Sequence, residues 1–505
     1  MADENSKSRS KPSAVITPLN RHLAKPKIES TAGGGVGAEQ KQATAEKPWI
    51  KLEDEKMGVI KLQVMRMLAE MELGIYRRGK HLVRVVDDPA IDEKGREKKN
   101  AEVVQVDVEW LQIILETEFG WKQWNGRGGD PWEPAGLPDM KIARGILALR
   151  GDWTFPFLRG VISAPTLRPD GSLLSRPGYD KRTGLMLVDL PVMPAIKERP
   201  TREDAEAALK LLLGLLEEFP FKDEAGRSAA LSMVMSAVLR GAIMPAPGHA
   251  TRAPKGGAGK SYLGDLPYLI AMGRVAVPVG ATKDGKEFEK KLTTALLMGD
   301  PIVSMDNLVG PQDNPLLCQA ITQTTVDVRP FGTTKGYRLD GCPLVFMNGN
   351  TDAGFSLVGD MVRRSLQIEF VEKSECTWQR PFRRDPQKEV EADRGKYVGA
   401  VLTIVLGFLA AEEREAVIAG LPVLANGFGG WDRFVRAPLV WLRRAEPAET
   451  IEAVWKDDPE LQKKRAAVAA MARKFGMGWD HRKTTAEIVK AADPMMEVDL
   501  WAALG

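Results

Sequence analysis

One run limits what this chain can fold into: Ala253, Pro254, Lys255, Gly256, Gly257, Ala258, Gly259, Lys260 and Ser261. Glycines here let the backbone curl so that successive N–H groups face inward around an anion. Lys260 is placed to reach the outer phosphates of a nucleotide, and the Ser261 hydroxyl to hold Mg²⁺. Tyr262 is the last residue of the expected binding run, which therefore spans Lys255 to Tyr262. The residues from Ser261 to Met272 are predicted to form a helix with its positive end toward the phosphates. The expected fold class is α/β. The loop departs from the usual pattern at one point, where Pro254 stands in place of the first glycine.

A length of 505 residues suits two to four domains. Charged residues make up 28% and hydrophobic ones 44%, the balance of a soluble globular chain. The net charge is only +3, so any surface for nucleic acid must be a local patch. Cys318, Cys342 and Cys376 are widely spaced, and His22, His81, His249 and His481 are scattered, which argues against a disulfide framework or a zinc site. A reducing cytoplasm is the expected compartment. No apolar run reaches the length of a membrane span, and the first residues show no signal-peptide core.

Residues 1–48 are expected to be a disordered tail, rich in Ser, Lys, Pro and Gly. Its basic residues could touch nucleic acid; a solvated leader is the preferred reading. Residues 49–193 read as a mixed α/β N-terminal domain. Trp121, Trp124, Trp132 and Trp153 interleave there with Lys122, Arg127 and Arg150, a pattern able to stack bases on aromatic faces. Core and loop anchors are the preferred reading of these rings. Turn chemistry at Arg168-Pro169-Asp170-Gly171 and Pro177-Gly178-Tyr179-Asp180 predicts a hairpin-rich stretch, without a paired-acid primase site. Residues 194–245 form an expected helical collar, opened by Thr201 with Asp204 three residues on. Residues 246–385 are the expected P-loop core. Residues 386–505 read as helical, with a winged helix as one form they could take.

Within the core, Pro301 to Asn307 suits a buried parallel strand with its acid at the carboxyl end, where ligands of α/β sheets gather. Asp306 would hold the Mg²⁺ shell. Asn307 stands where many such enzymes carry a second acid, and an amide cannot take a proton; it can only orient water. A third strand, Pro343 to Asn350, ends in polar side chains able to sense a γ-phosphate, with Asn350 favoured over Asn348. Arg363 and Arg364 precede another strand and could reach a neighbouring subunit's nucleotide. From Thr324 to Leu339 a hairpin with a basic tip is plausible, and Lys335 and Arg338 could grip phosphates. An ordinary hairpin with a solvated lysine fits the composition equally well.

The order of phosphate loop, Asp-Asn strand, basic hairpin, Asn-ending strand and arginine pair resembles the ATPase core of superfamily-III helicases, within the AAA+ class, of phages and mobile elements. The stretch from Pro156 to Asp180 resembles a module ahead of the ATPase in such replication proteins. The likeness covers roughly residues 240–375, with Trp378 to Phe382 in keeping. It implies ATP and Mg²⁺ as cofactors and DNA, as single strand or fork, as partner. It further implies a hexameric ring with Lys335 in its pore, and Asp306, Asn350 and Arg363 or Arg364 as catalytic groups. The sequence shows no primase chemistry, so a separate primase could exist. Two other readings stay open. Lys255 also fits the extra lysine of partition-type ATPases, which are dimeric switches. A nucleotide-bound loader or structural protein with little turnover fits Asn307.

Overall fold

The structure is a computed structural model that describes residues 47–53, 56–91, 97–125, 132–136, 140–280, 285–329, 336–371, 383–424, 427–457, 459–476, 478 and 482–491. Its centre is a five-stranded sheet whose paired strands all run parallel. Across the sheet the order is Val279–Gly280, Ile302–Leu308, Leu344–Asn350, Gly248–Ala253 and Ser365–Glu369. Parallel neighbours need crossovers, and helices Lys260–Met272, Gly285–Met298 and Pro315–Thr322 lie between these strands in sequence. Covered on both faces, the strands read as continuous runs rather than alternations: Leu344 to Met347 are all buried.

The strand entering the glycine loop is low in apolar character, yet Gly248, His249, Ala250, Thr251 and Ala253 are all buried. Its small residues answer to crowding from both sides. One ring nitrogen is engaged locally: His249 Nε2 lies 3.1 Å from Ser232 Oγ, and the Trp431 indole N–H donates to the same hydroxyl at 2.9 Å. Ser232 belongs to helix Glu224–Val238, which is buried around almost its whole circumference. Burial pushes the His249 imidazole down to about 3, so it is neutral in the fold.

One core runs from Ala164 to Val454 and takes in the helix opened at Thr201, the parallel sheet and the apolar helix Arg394–Ala410. The capping box at Thr201 is formed: Thr201 N–H donates to Asp204 Oδ2 at 2.9 Å, and the Thr201 hydroxyl accepts from the Asp204 N–H at 3.3 Å. A second core gathers Val64, Leu68, Leu111, Leu115, Ile142 and Ile146 from helices Met57–Glu70, Val108–Glu118 and Lys141–Ala148. Trp121 and Trp153 anchor it, their indole N–H groups donating to the Leu115 and Ile146 carbonyls. Trp124 and Trp132 take no part in that core. Beyond residue 385 the described residues contain helices and no strand, so no wing is seen among them. Among the described residues no single helix is long and apolar enough to cross a membrane.

The His249 site carries a pH signature. The unfolded imidazole takes a proton near 6.5 and the folded one does not. Stability is therefore present above that pH and falls as pH drops toward the folded value, by about 2 kcal/mol at pH 5. Urea unfolding at pH 7 and pH 5 should show this loss in the native chain and a shallower one in His249→Gln. Equal losses would show that His249 is not the source.

Candidate functional site

The loop between strand Gly248–Ala253 and helix Lys260–Met272 is shaped by two left-handed residues, Gly257 at φ 80° and Gly259 at φ 87°. Gly259 also sits at the helix N-cap, where no side chain caps the first turn. Helix starts of this kind leave backbone N–H groups for an anion. Lys255, Gly256 and Gly257 are exposed, while Ala258 and Gly259 are half-buried.

Three strands deliver the side chains. Lys260, buried at 6% exposure, donates from Nζ to Asn350 Oδ1 at 2.6 Å and to the Lys255 carbonyl at 2.9 Å. Ser261 Oγ lies 3.2 and 3.3 Å from the two Asp306 carboxylate oxygens. The loop lysine thus meets the end of the asparagine strand, and the loop serine meets the end of the acid strand. Strand order produces this: Leu344–Asn350 lies between the loop strand and the acid strand. Gly349 permits the close approach, because a β-carbon there would collide with Phe355 and with the Leu308 carbonyl.

The two flanking asparagines do different things. Asn307 has φ 57°, and the pairing of its strand slips between Met305 and Leu308. Its N–H donates to the buried Asn348 Oδ1 at 3.1 Å. Left-handed backbone favours Asn and Asp among side-chain-bearing residues, so Asn307 suits the bulge. Asn348 braces that bulge, and Asn350 faces the lysine.

Other candidate residues sit elsewhere. The Tyr262 hydroxyl is engaged by the start of helix Pro386–Ala392, donating to Asp385 Oδ1 at 2.5 Å and accepting from the Gln387 N–H at 3.1 Å. Burial, reinforced by Asp385, pushes this phenol up to about 12. Arg363 is half exposed and bonds Asp360 at 2.7 Å. Arg364 is largely enclosed; it also bonds Asp360 at 2.7 Å and donates to the Thr322 hydroxyl. Arg338 lies on the hairpin formed by Thr325–Val328 and Tyr337–Asp340, where it pairs in solvent with Asp327 at 3.2 Å. Lys335 and the Trp378 to Phe382 stretch lie outside the described residues.

Three features escape a reading of motifs. Asp265 follows Ser261 by one helical turn, on the same helix face. Burial raises its carboxyl, and the nearby Asp306 charge adds to the rise. Burial alone would raise Glu369 as well, but Arg252 at 2.6 Å and Lys222 at 3.2 Å outweigh it and hold that carboxyl low. Phe219 stacks on Phe370 with centroids 5.8 Å apart and comes within 3.6 Å of where a Gly259 β-carbon would lie. The i, i+4 spacing of Ser261 and Asp265 was a usable signal; the other two arise from chain segments far apart in sequence.

No protein-family model matches the chain, and no curated protein does. Among solved structures, it is similar to the apo A form of the NrS-1 C-terminal region at 14% identity and TM-score 0.34, covering 82% of this chain and 80% of that one. It is also similar to JCV helicase crystallised with a thiazolopyridine acetamide, at 13% identity and TM-score 0.20, covering 51% of this chain and 73% of that one. At these TM-scores neither likeness carries an argument.

Asp265 gives a direct test. A carboxylate whose pKa is raised by burial and a like charge favours the fold less at neutral pH than at acid pH. Asp265→Asn should therefore raise the Tm of the metal-free protein at pH 7. A metal-free Tm that stays the same or falls would contradict this reading.

Proposed function

We propose that this chain is an ATP-dependent DNA helicase or translocase, a P-loop ATPase of AAA+ type resembling superfamily-III helicases of phages and mobile elements. In this reading it works as a hexameric ring on single-stranded or forked DNA, with a separate primase supplying primers. The observation that carries it is the meeting of Lys260 with Asn350 and of Ser261 with Asp306 at the carboxyl edge of a parallel sheet.

The residues fit a Mg²⁺-nucleotide. An uncapped helix start offers N–H donors, a buried ammonium stands beside it, and a hydroxyl and a carboxylate converge next to both. Mg²⁺-ATP would supply the phosphoanhydride to be split and metal charge to offset the phosphates. The backbone from Lys255 to Tyr262 and the Lys260 ammonium bind and orient the phosphates; Ser261 and Asp306 hold the metal shell. Asn350, beside Lys260, orients the attacking water. Asn307 can contribute a hydrogen bond but accepts no proton. Arg363 is the better finger of the pair, because Arg364 is enclosed and tied to Thr322. Lys335 and Arg338 are the proposed DNA contacts of the ring's hairpin.

A second reading, a nucleotide-bound loader with little turnover, draws on Asn307, an amide at left-handed φ where a second acid is expected. Steady-state turnover separates the two. Lys260→Ala should abolish multiple-turnover hydrolysis. Asn350→Ala should lower it roughly 10²–10³-fold, the scale of losing one orienting group, while nucleotide affinity stays near native. Unimpaired turnover in Lys260→Ala would remove the site assignment, and a native chain that binds ATP without turnover would favour the loader.

The finger is tested by mixing inactive subunits. Arg363→Ala protomers mixed with Lys260→Ala protomers should recover part of the ATP turnover, because some interfaces then pair an intact loop with an intact arginine. Arg363→Ala alone should fall about a thousandfold or more. No recovery on mixing would place the arginine's action within one chain.

A further inference from the structure

The pattern of tryptophans in the N-terminal region resolves into two populations. Strands Trp49–Leu52, Gly120–Trp124 and Trp132–Ala135 form one small sheet. On its inner face Ile50 lies opposite Trp121, and both are buried. Alternation sends the neighbours of that pair outward. Trp49 stands opposite Gly120, Lys51 opposite Lys122, and Trp124 opposite Trp132. One outward face therefore carries three indoles and two lysines.

The rings remain accessible. Trp49 is 55% exposed and Trp124 61% exposed. Trp49 lies directly over Gly120, where a β-carbon would come within 2.7 Å of its ring. Trp124 and Trp132 meet edge to face with centroids 5.3 Å apart. A groove of about 570 Å³ opens beside that pair, lined by Leu52, Glu53, Gln123, Trp124 and Trp132. Lys122 Nζ lies 5.2 Å from the Trp49 ring centre and Lys51 Nζ 4.9 Å from that of Trp132.

We propose that this face is a second nucleic-acid site, separate from the nucleotide centre, that binds a single strand by stacking bases on Trp49 and on the Trp124–Trp132 pair while Lys51 and Lys122 meet the phosphates between them. Spacing supports it. Trp124 lies four residue steps beyond Gly120, which is beneath Trp49, or about 13 Å along an extended strand. In register the Lys51–Lys122 pair falls midway, with the two ammonium groups standing over the Trp132 and Trp49 rings. An aromatic–cation–aromatic order suits an alternation of bases and phosphates. Charge favours this occupant over an apolar protein partner, since both cations stand on the ring face itself. The acid in the groove, Glu53, is already paired with Lys56 at 2.6 Å. Glu133 pairs in register with Gln123, on the other face. A duplex is disfavoured because stacked bases do not present their faces to an indole.

The test uses the full chain without nucleotide, so that it succeeds or fails independently of ATP turnover. A fluorescently labelled oligothymidylate is titrated, reading anisotropy and tryptophan quenching together. Trp49→Ala combined with Trp124→Ala should weaken binding at least about tenfold and remove most of the quenching. Because that variant could disturb the sheet, Lys51→Gln with Lys122→Gln serves as a second probe on the surface alone. It should flatten the slope of log affinity against log salt by about 1.4, the value for two phosphate contacts on a single strand. Native affinity, quenching and salt slope in both variants would overturn the proposal. So would a change in oligomer mass in the tryptophan variant with DNA affinity intact, which would make the face a protein interface.

Discussion

Gly248 leaves no spare room for a β-carbon: one placed there would meet Ser365 Oγ at 2.9 Å and Ile321 at 3.2 Å, so its neighbours would have to shift. The strand it begins is gripped by a parallel neighbour on each edge and buried throughout most of its length. Close packing of this kind leaves little room for large side chains, so the strand is built from Gly, Ala, Thr and one hydrogen-bonded His. Its rigidity matters because the glycine loop hangs from its carboxyl end. The chain of Trp431, Ser232 and His249 ties that strand to helix Glu224–Val238 and to the C-terminal helices through a buried polar contact. A hydrogen bond made away from water is directional, so it fixes the strand's lateral position more sharply than apolar contact alone.

The same constraint explains the state of Lys260. An ammonium withdrawn from water needs strong acceptors, and those of Lys260 include two neutral oxygens, on Asn350 and on Lys255. Neutral acceptors offset less of the lost hydration than an anion would. A phosphate entering the loop would replace dipoles with full charge while the uncapped helix start contributes its N–H groups. Asn350 Oδ1 is then no longer held by the lysine and can accept from a water O–H. The contact that organises the site without ligand is thus the one that a nucleotide would rearrange, which links occupancy to the position of Asn350 without invoking any larger motion.

Much of this was legible in the chain. The glycine loop, the Asp306 strand and the Asn350 strand are local signals, since each needs only a short run with defined termini, and the structure places all three side by side. Strand order was not legible, because periodicity says which residues are buried but not which strand lies next to which. Side-chain direction was equally hidden. Tyr262 follows the loop in sequence yet turns toward Asp385, and Arg364 beside Arg363 is drawn in by Thr322. The tryptophans show the same limit. A preference for core anchors holds for Trp121 and Trp153 and fails for Trp124, because the sorting depends on strand register, which alternates ring by ring.

A net charge of +3 over 505 residues leaves little long-range field to attract a polyanion. At physiological salt, charges on an open surface are screened within about 8 Å. Any grip on DNA must therefore come from short-range contacts at defined places. Arg338 is in part neutralised by Asp327, and surface pairs of that kind contribute little. Stacking on exposed indoles is not weakened by salt in the same way, and it needs no sequence match because every base has a face. Contacts of this type would suit a chain of balanced charge, and they are the ones that aromatic rings standing in solvent could make.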